Sequence, residues 1–137
     1  MNTENNNNIF EKYQIELAED LSIDDFNVRS TQLELPGRKH KWVGRLIQQK
    51  YELEKLRRLK NETSTKIMDE LRNTQMVRTS DKSLSIQADN HIIMQRINAE
   101  MTNCDLLIDY LERVEKIFSQ MTFDIRNLVE LRKLELT

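Results

Sequence analysis

From Ser85 to Leu136 apolar residues recur at alternating steps of four and three, with no Gly or Pro among them. Counting from Ile86, positions 86, 90, 93, 97, 100, 104, 107, 111, 114, 118, 121, 125, 128 and 132 form one seam. Eleven of these fourteen are apolar, and only Asn90, Glu100 and Arg132 are not. A strand would alternate every second residue, and a membrane span would need roughly 20 apolar residues in succession. Neither pattern is present, so a long amphipathic helix is the form open to this stretch. Met94, Met101, Ile108 and Val129 widen the stripe beyond what a two-stranded coiled coil requires. The helix needs more than one neighbour.

Two Gly and one Pro in 137 residues leave little material for tight turns, so an all-α chain of long helices with short polar links is expected. The length suits a single domain. In the expected organisation residues 1–8, rich in Asn, are a disordered tail, and 9–137 form one helical domain. Within that domain 9–35 is an acidic segment opening on a short helix, with 22–35 as a connector. Residues 36–73 are a basic long helix led by Pro36, 74–84 a loop, and 85–136 the long helix that assembles the protein. The two long helices are expected to run antiparallel. Ser83 or Ser85 is the expected cap of the last helix. A chain of charged long helices has a thin core, which favours a homo-oligomer. The seam of the last helix outruns that of 36–73 by about two heptads, so Leu111, Val114, Phe118, Met121, Ile125 and Leu128 are the candidate oligomerisation residues.

The formal net charge of −2 hides a partition. Residues 1–35 carry eight acids and two bases, 38–82 thirteen bases and six acids, and 83–137 nine acids and six bases. A basic middle suits a polyanion, and acidic ends suit a different partner. A helix displaying Arg and Lys releases condensed counterions when it docks on phosphates, and an aromatic such as Tyr51 or Trp42 would let a single-stranded base stack if it were exposed. The candidate DNA-binding residues are Lys55, Arg57, Arg58, Lys60, Lys66 and Arg72. The acids Glu16, Glu19, Asp20, Asp24 and Asp25 are the candidate protein-binding face.

Catalytic and metal-binding patterns are missing. His40 and His91 have no second His or Cys at ligand spacing. Gly37 and Gly44 do not make a phosphate loop, and Asp24 and Asp25 read as solvated surface. No enzyme activity, cofactor or metal is expected. The lone Cys104 lies on the apolar seam as a small buried hydrophobe in a reducing compartment. With no leader and no membrane span, a cytosolic protein is expected.

Three runs carry a resemblance. Ile86-Gln87-Ala88-Asp89-Asn90-His91-Ile92-Ile93, then Leu107-Ile108-Asp109-Tyr110-Leu111-Glu112-Arg113, then Phe123-Asp124-Ile125-Arg126-Asn127 resemble, in order and spacing, the C-terminal half of the UvsY family of phage recombination mediators. Ser22-Ile23-Asp24-Asp25 and His40-Lys41-Trp42 look like that family's upstream segments. Where the family carries a basic and aromatic cluster followed by Gly, this chain has Thr65-Lys66-Ile67-Met68-Asp69-Glu70-Leu71. The DNA-binding assignment therefore rests on charge and not on that motif. The resemblance implies a ring-like homo-oligomer in the cytoplasm of an infected bacterium, binding single-stranded DNA. It further implies loading of a RecA-like phage recombinase onto DNA coated by the phage single-strand DNA-binding protein, with no membrane role. The alternative from the residues alone is a structural or scaffold helical adaptor with no nucleic-acid role.

Overall fold

The computed structural model describes residues 3–75 and 78–136, with side chains described from residue 8 onwards. Four helices follow one another: α1 (Thr3–Asp20), α2 (Val28–Thr74), α3 (Asp81–Asp89) and α4 (Ile92–Leu136). There is no strand among the described residues, and the chain is all-α. It divides into two compact units, one made of Met1–Gln48 with Leu107–Thr137, the other of Gln49–Leu106.

The first unit packs α1 and the start of α2 against the end of α4. Its core joins Leu17, Leu35, Trp42 and Leu46 to Leu111, Val114, Phe118, Met121 and Ile125. The α2 and α4 segments are antiparallel here, since Asp25 meets Arg132 while Leu35 and Pro36 face Ile125. Trp42 is 2 % exposed and Phe118 fully enclosed, and each such side chain contributes about 1.5–3 kcal/mol on leaving water. The six expected oligomerisation residues thus lie inside a single chain: five are buried in this core and Leu128 is half-buried. What covers them is Leu17 of α1 together with Leu35, Trp42 and Leu46 of α2, which starts at Val28 and not at Pro36.

That early start has a local cause. Asp24 Oδ1 accepts from the backbone N–H of Asn27 at 2.9 Å while Asn27 Oδ1 accepts from that of Asp24 at 2.7 Å. This reciprocal box satisfies donors that a helix start leaves open. Val28, Thr31 and Leu35 are buried and continue the phase of Trp42, so the expected connector shrinks to 21–27. Pro36 sits inside α2 on an exposed position. Its missing N–H removes one helical bond, which neighbouring buried residues outweigh.

The second unit packs the remainder of α2 against α3 and the start of α4, with Ile67, Ala88, Met94 and Ile97 at its centre and Met68, Leu71 and Met101 around them. The expected single helix over 85–136 is broken at Asn90 and His91. The backbone N–H of Asn90 closes α3 onto Ile86 O at 3.2 Å, and His91 Nδ1 accepts from the N–H of Ile93 at 3.2 Å to open α4. The break shifts the seam's phase. Leu84, Ala88 and Met94 are buried where Ile86, Asn90 and Ile93 were expected, and the expected phase holds from Ile97 onwards. The cap of α3 is Ser80, whose side chain accepts from the N–H of Ser83. The expected loop over 74–84 is shortened accordingly to 75–80, of which 76 and 77 lie outside the described residues.

The expected tail over 1–8 differs as well. Residues 1 and 2 lie outside the described residues, and 3–8 are the first turns of α1. Each added Asn is only a few tenths of a kcal/mol worse than a good helix former, and extending a helix is far easier than nucleating one.

Candidate nucleic-acid interface

In the first unit the acidic end of α1 meets the basic start of α2. Glu16 takes both Arg45 guanidinium nitrogens, at 2.7 and 3.1 Å, and Lys41 Nζ at 2.9 Å. Asp20 Oδ2 takes Lys41 Nζ at 2.6 Å and Trp42 Nε1 at 2.8 Å, while Arg38 donates to the Asp20 carbonyl at 3.0 Å. A cation on that carbonyl also satisfies the negative end of the α1 dipole, which the acids in its last turns would otherwise worsen. The Arg45 guanidinium stacks 4.6 Å from the Trp42 ring and 4.8 Å from the Tyr13 ring. The hydrogen bonds from Arg45 and then Lys41 hold the Glu16 carboxyl down at about 2. Burial pulls the Lys41 ammonium down, but its bonds to Asp20 and Glu16 outweigh that and raise it.

The acids expected to form a protein-binding face are thus largely engaged within the chain. Glu16 and Asp20 hold bases, Asp24 caps α2, Asp25 lies near Arg132, and Glu19 stays exposed. The opposite charges of the first two sequence segments were the available signal. What the sequence could not supply was that α1 folds back on α2. Trp42, buried here, offers no stacking face.

The second unit displays the bases of α2 beyond Gln48. Lys55, Arg57 and Arg58 are exposed, and their acid partners, Glu52 and Glu54, lie one turn back on the same helix at 3.5–3.9 Å. Lys66 is exposed with no ion pair among the described residues. Lys60 is half-buried on the seam between Leu56 and Thr63, so it departs from the face the other bases share. Tyr51 is 57 % exposed with Lys55 Nζ 4.8 Å from its ring centre. Arg72 pairs with Asp81 at 2.5 Å and with Asp69 at 3.6 Å. It also lines a shallow cavity of about 380 Å³ with Gln75, Arg78, Thr79 and Asp81. Exposed ion pairs of this kind are worth about 0–1 kcal/mol, so phosphate oxygens can replace the carboxylates with little loss.

No group of three or more His, Cys, Asp or Glu that could hold a metal ion occurs among the described residues. Cys104 is buried, and burial pushes its thiol up. No helix among the described residues is long and apolar enough to cross a membrane.

An all-α protein with exposed bases along one helix, and with Arg38, Lys41 and Arg45 of that helix held by internal acids, has the make-up of a helical nucleic-acid-binding protein. The chain belongs to the family described as "Recombination, repair and ssDNA binding protein UvsY", whose pattern matches residues 16–136. No curated protein matches it. The fold is similar to crystal structures of the bacteriophage T4 recombination mediator protein UvsY. In lattice type II the TM-score is 0.79 at 16 % identity, covering 93 % of this chain and 97 % of that one. In lattice type I it is 0.78 at 15 % identity, covering 90 % and 98 %.

Proposed function

We propose that this protein is a recombination mediator that binds single-stranded DNA along the exposed bases of α2 in the second unit. On this reading Lys55, Arg57, Arg58, Lys66 and Arg72 contact phosphates, with Lys60 at the edge and Arg78 and Lys82 extending the track, and Tyr51 offers a base its ring. The protein acts in the cytoplasm of the infected host, where it loads a RecA-like phage recombinase onto DNA coated by the phage single-strand DNA-binding protein. No nucleotide is consumed. A ring-like homo-oligomer holding one strand through many phosphates constrains it and weakens the coating protein's grip, while recombinase is presented at high local concentration.

The observation that carries this reading is the division of the bases. The acids of α1 neutralise Arg38, Lys41 and Arg45, whereas four of the six residues from Lys55 to Lys60 are basic with no acid among them. The family description supplies the polyanion, single-stranded DNA. With five of the six expected residues enclosed in the core, assembly falls to the opposite side of α4, where Phe123, Leu131 and Leu134 are exposed. At 100° per residue these three lie across the helix from Phe118 and Ile125, while the exposed Ile117 lies on the flank between the two sides.

The test is an anisotropy titration of labelled oligothymidylate at several salt concentrations. Wild type should show a slope of log affinity on log salt of about −0.7 per phosphate neutralised. Replacing Lys55, Arg57 and Arg58 by Glu should weaken binding and flatten the slope. Equal slopes would move the strand off α2, and no binding at all would leave a helical adaptor without a nucleic-acid role. The mediator step is read separately, as the lag in recombinase ATP hydrolysis on coated DNA, which this protein should shorten.

A further inference from the structure

In the first unit α2 and α4 leave between them a groove of about 410 Å³ that the reading above does not use. Its floor is aliphatic, made by Leu35, Pro36, Ile125 and Val129. Lys39 stands on the α2 wall and Arg126 on the α4 wall, and neither makes an ion pair among the described residues. The carboxylates nearest in sequence are occupied elsewhere: Glu34 by Arg38, Asp25 by Arg132, Glu130 by Lys133, and Asp124 by the Gln120 amide. The groove is therefore apolar below and positive on both rims. Pro36 adds a third feature. It has no N–H, so the carbonyl of Gln32 on the same wall loses the donor it would take in an unbroken helix.

We propose that this groove docks an acidic amphipathic peptide segment of another protein. A large apolar side chain of the segment sits on the aliphatic floor, its carboxylates reach Lys39 and Arg126, and a backbone N–H donates to the Gln32 carbonyl. The volume lies in the range of formed binding sites, and cations flanking an apolar channel are the recognition pattern for acidic motifs. A nucleic acid fits less well, because no aromatic ring lines the groove and a base needs a flat face to stack on.

The experiment uses the full-length protein and a short fluorescein-labelled peptide rich in Asp and Glu, with Leu and Phe one helical turn apart. It is compared with the same peptide carrying Ser for Leu and Phe, and with oligothymidylate. The double variant Lys39→Glu, Arg126→Glu reverses both rim charges without breaking an ion pair, and Gln32→Trp fills the groove with its charges intact. Circular dichroism confirms that each variant is folded. The acidic amphipathic peptide should bind wild type and bind either variant about tenfold or more weakly, while the variants bind oligothymidylate as wild type does. Equal binding of the Ser-substituted peptide, or of the parent peptide to either variant, overturns the proposal. Loss of oligothymidylate binding alone would also overturn it and assign the groove to nucleic acid. Because the strand site lies on other residues, failure of the peptide to bind leaves the mediator reading standing, and failure of DNA binding leaves the groove proposal standing.

Discussion

Glu16 holds Arg45 and Lys41 at once, and its carboxyl is pulled from 4.5 to about 2. A carboxyl lowered on folding stabilises the folded state fully above its unfolded value and loses that contribution as pH falls through the folded one. Stability should therefore drop between pH 4.5 and about 2. Glu16→Gln should lower stability at neutral pH by about 1 kcal/mol, a figure discounted for its partial exposure, and flatten the acid limb of urea melts. An unchanged acid limb would remove Glu16 from that role. Trp42 belongs to the same cluster, and Trp42→Ala should cost about 3–5 kcal/mol in the same melts. The spacing of Trp42, Leu46 and Leu53 at steps of four and seven marks Trp42 as core in the sequence itself. The Glu16 clamp was not legible, because nothing local in 9–20 says which helix those acids will face.

Helix phase was legible wherever the packing neighbour stayed the same. From Ile97 to Ile125 the expected seam is the buried seam apart from half-buried Glu100, because a helix covered continuously keeps its 3.5-residue repeat. Upstream of Ile97 the phase slips at Asn90 and His91, where two polar residues close one helix and open another. The start of α2 was misplaced because Pro36 reads as a first-turn residue, although Val28, Leu35 and Trp42 already stood seven apart. Two predictions belong to these elements. Asp24→Ala should remove one side of the cap and destabilise by about 1 kcal/mol, measured by thermal unfolding. Truncation after Gln120 removes Met121 and Ile125 from the core, so it should cost helicity by circular dichroism and not simply release folded monomers.

For the molecule as a whole, core and assembly surface should separate. Leu131→Glu with Leu134→Glu changes two exposed residues and should lower the sedimentation coefficient while the far-ultraviolet spectrum stays unchanged. An intact assembly would move the interface away from that side of α4. Added salt should make a similar distinction. Partly buried pairs such as Lys41 with Asp20 are screened less than exposed bases, so strand release should precede any loss of fold. The proposed DNA site rests on the run of bases as a region and not on single residues. Lys60 shows why, since its place on the seam follows from helix phase and charge counting is blind to phase.

Cys104 is the chain's one thiol, 8 % exposed, in the unit whose α2 seam carries Lys60 and Thr63 between its apolar residues. An alkylating reagent reaches such a sulfur when the surrounding helices part, so its labelling rate acts as a clock for opening of that unit. Trp42 emission reports the other unit, where the indole leans on Asp20 and Arg45. The native sequence thus carries one optical and one chemical probe, one per unit. With both followed on a single sample, a strand that clamps the bases of α2 should slow the sulfur's reaction and leave the indole spectrum where it was.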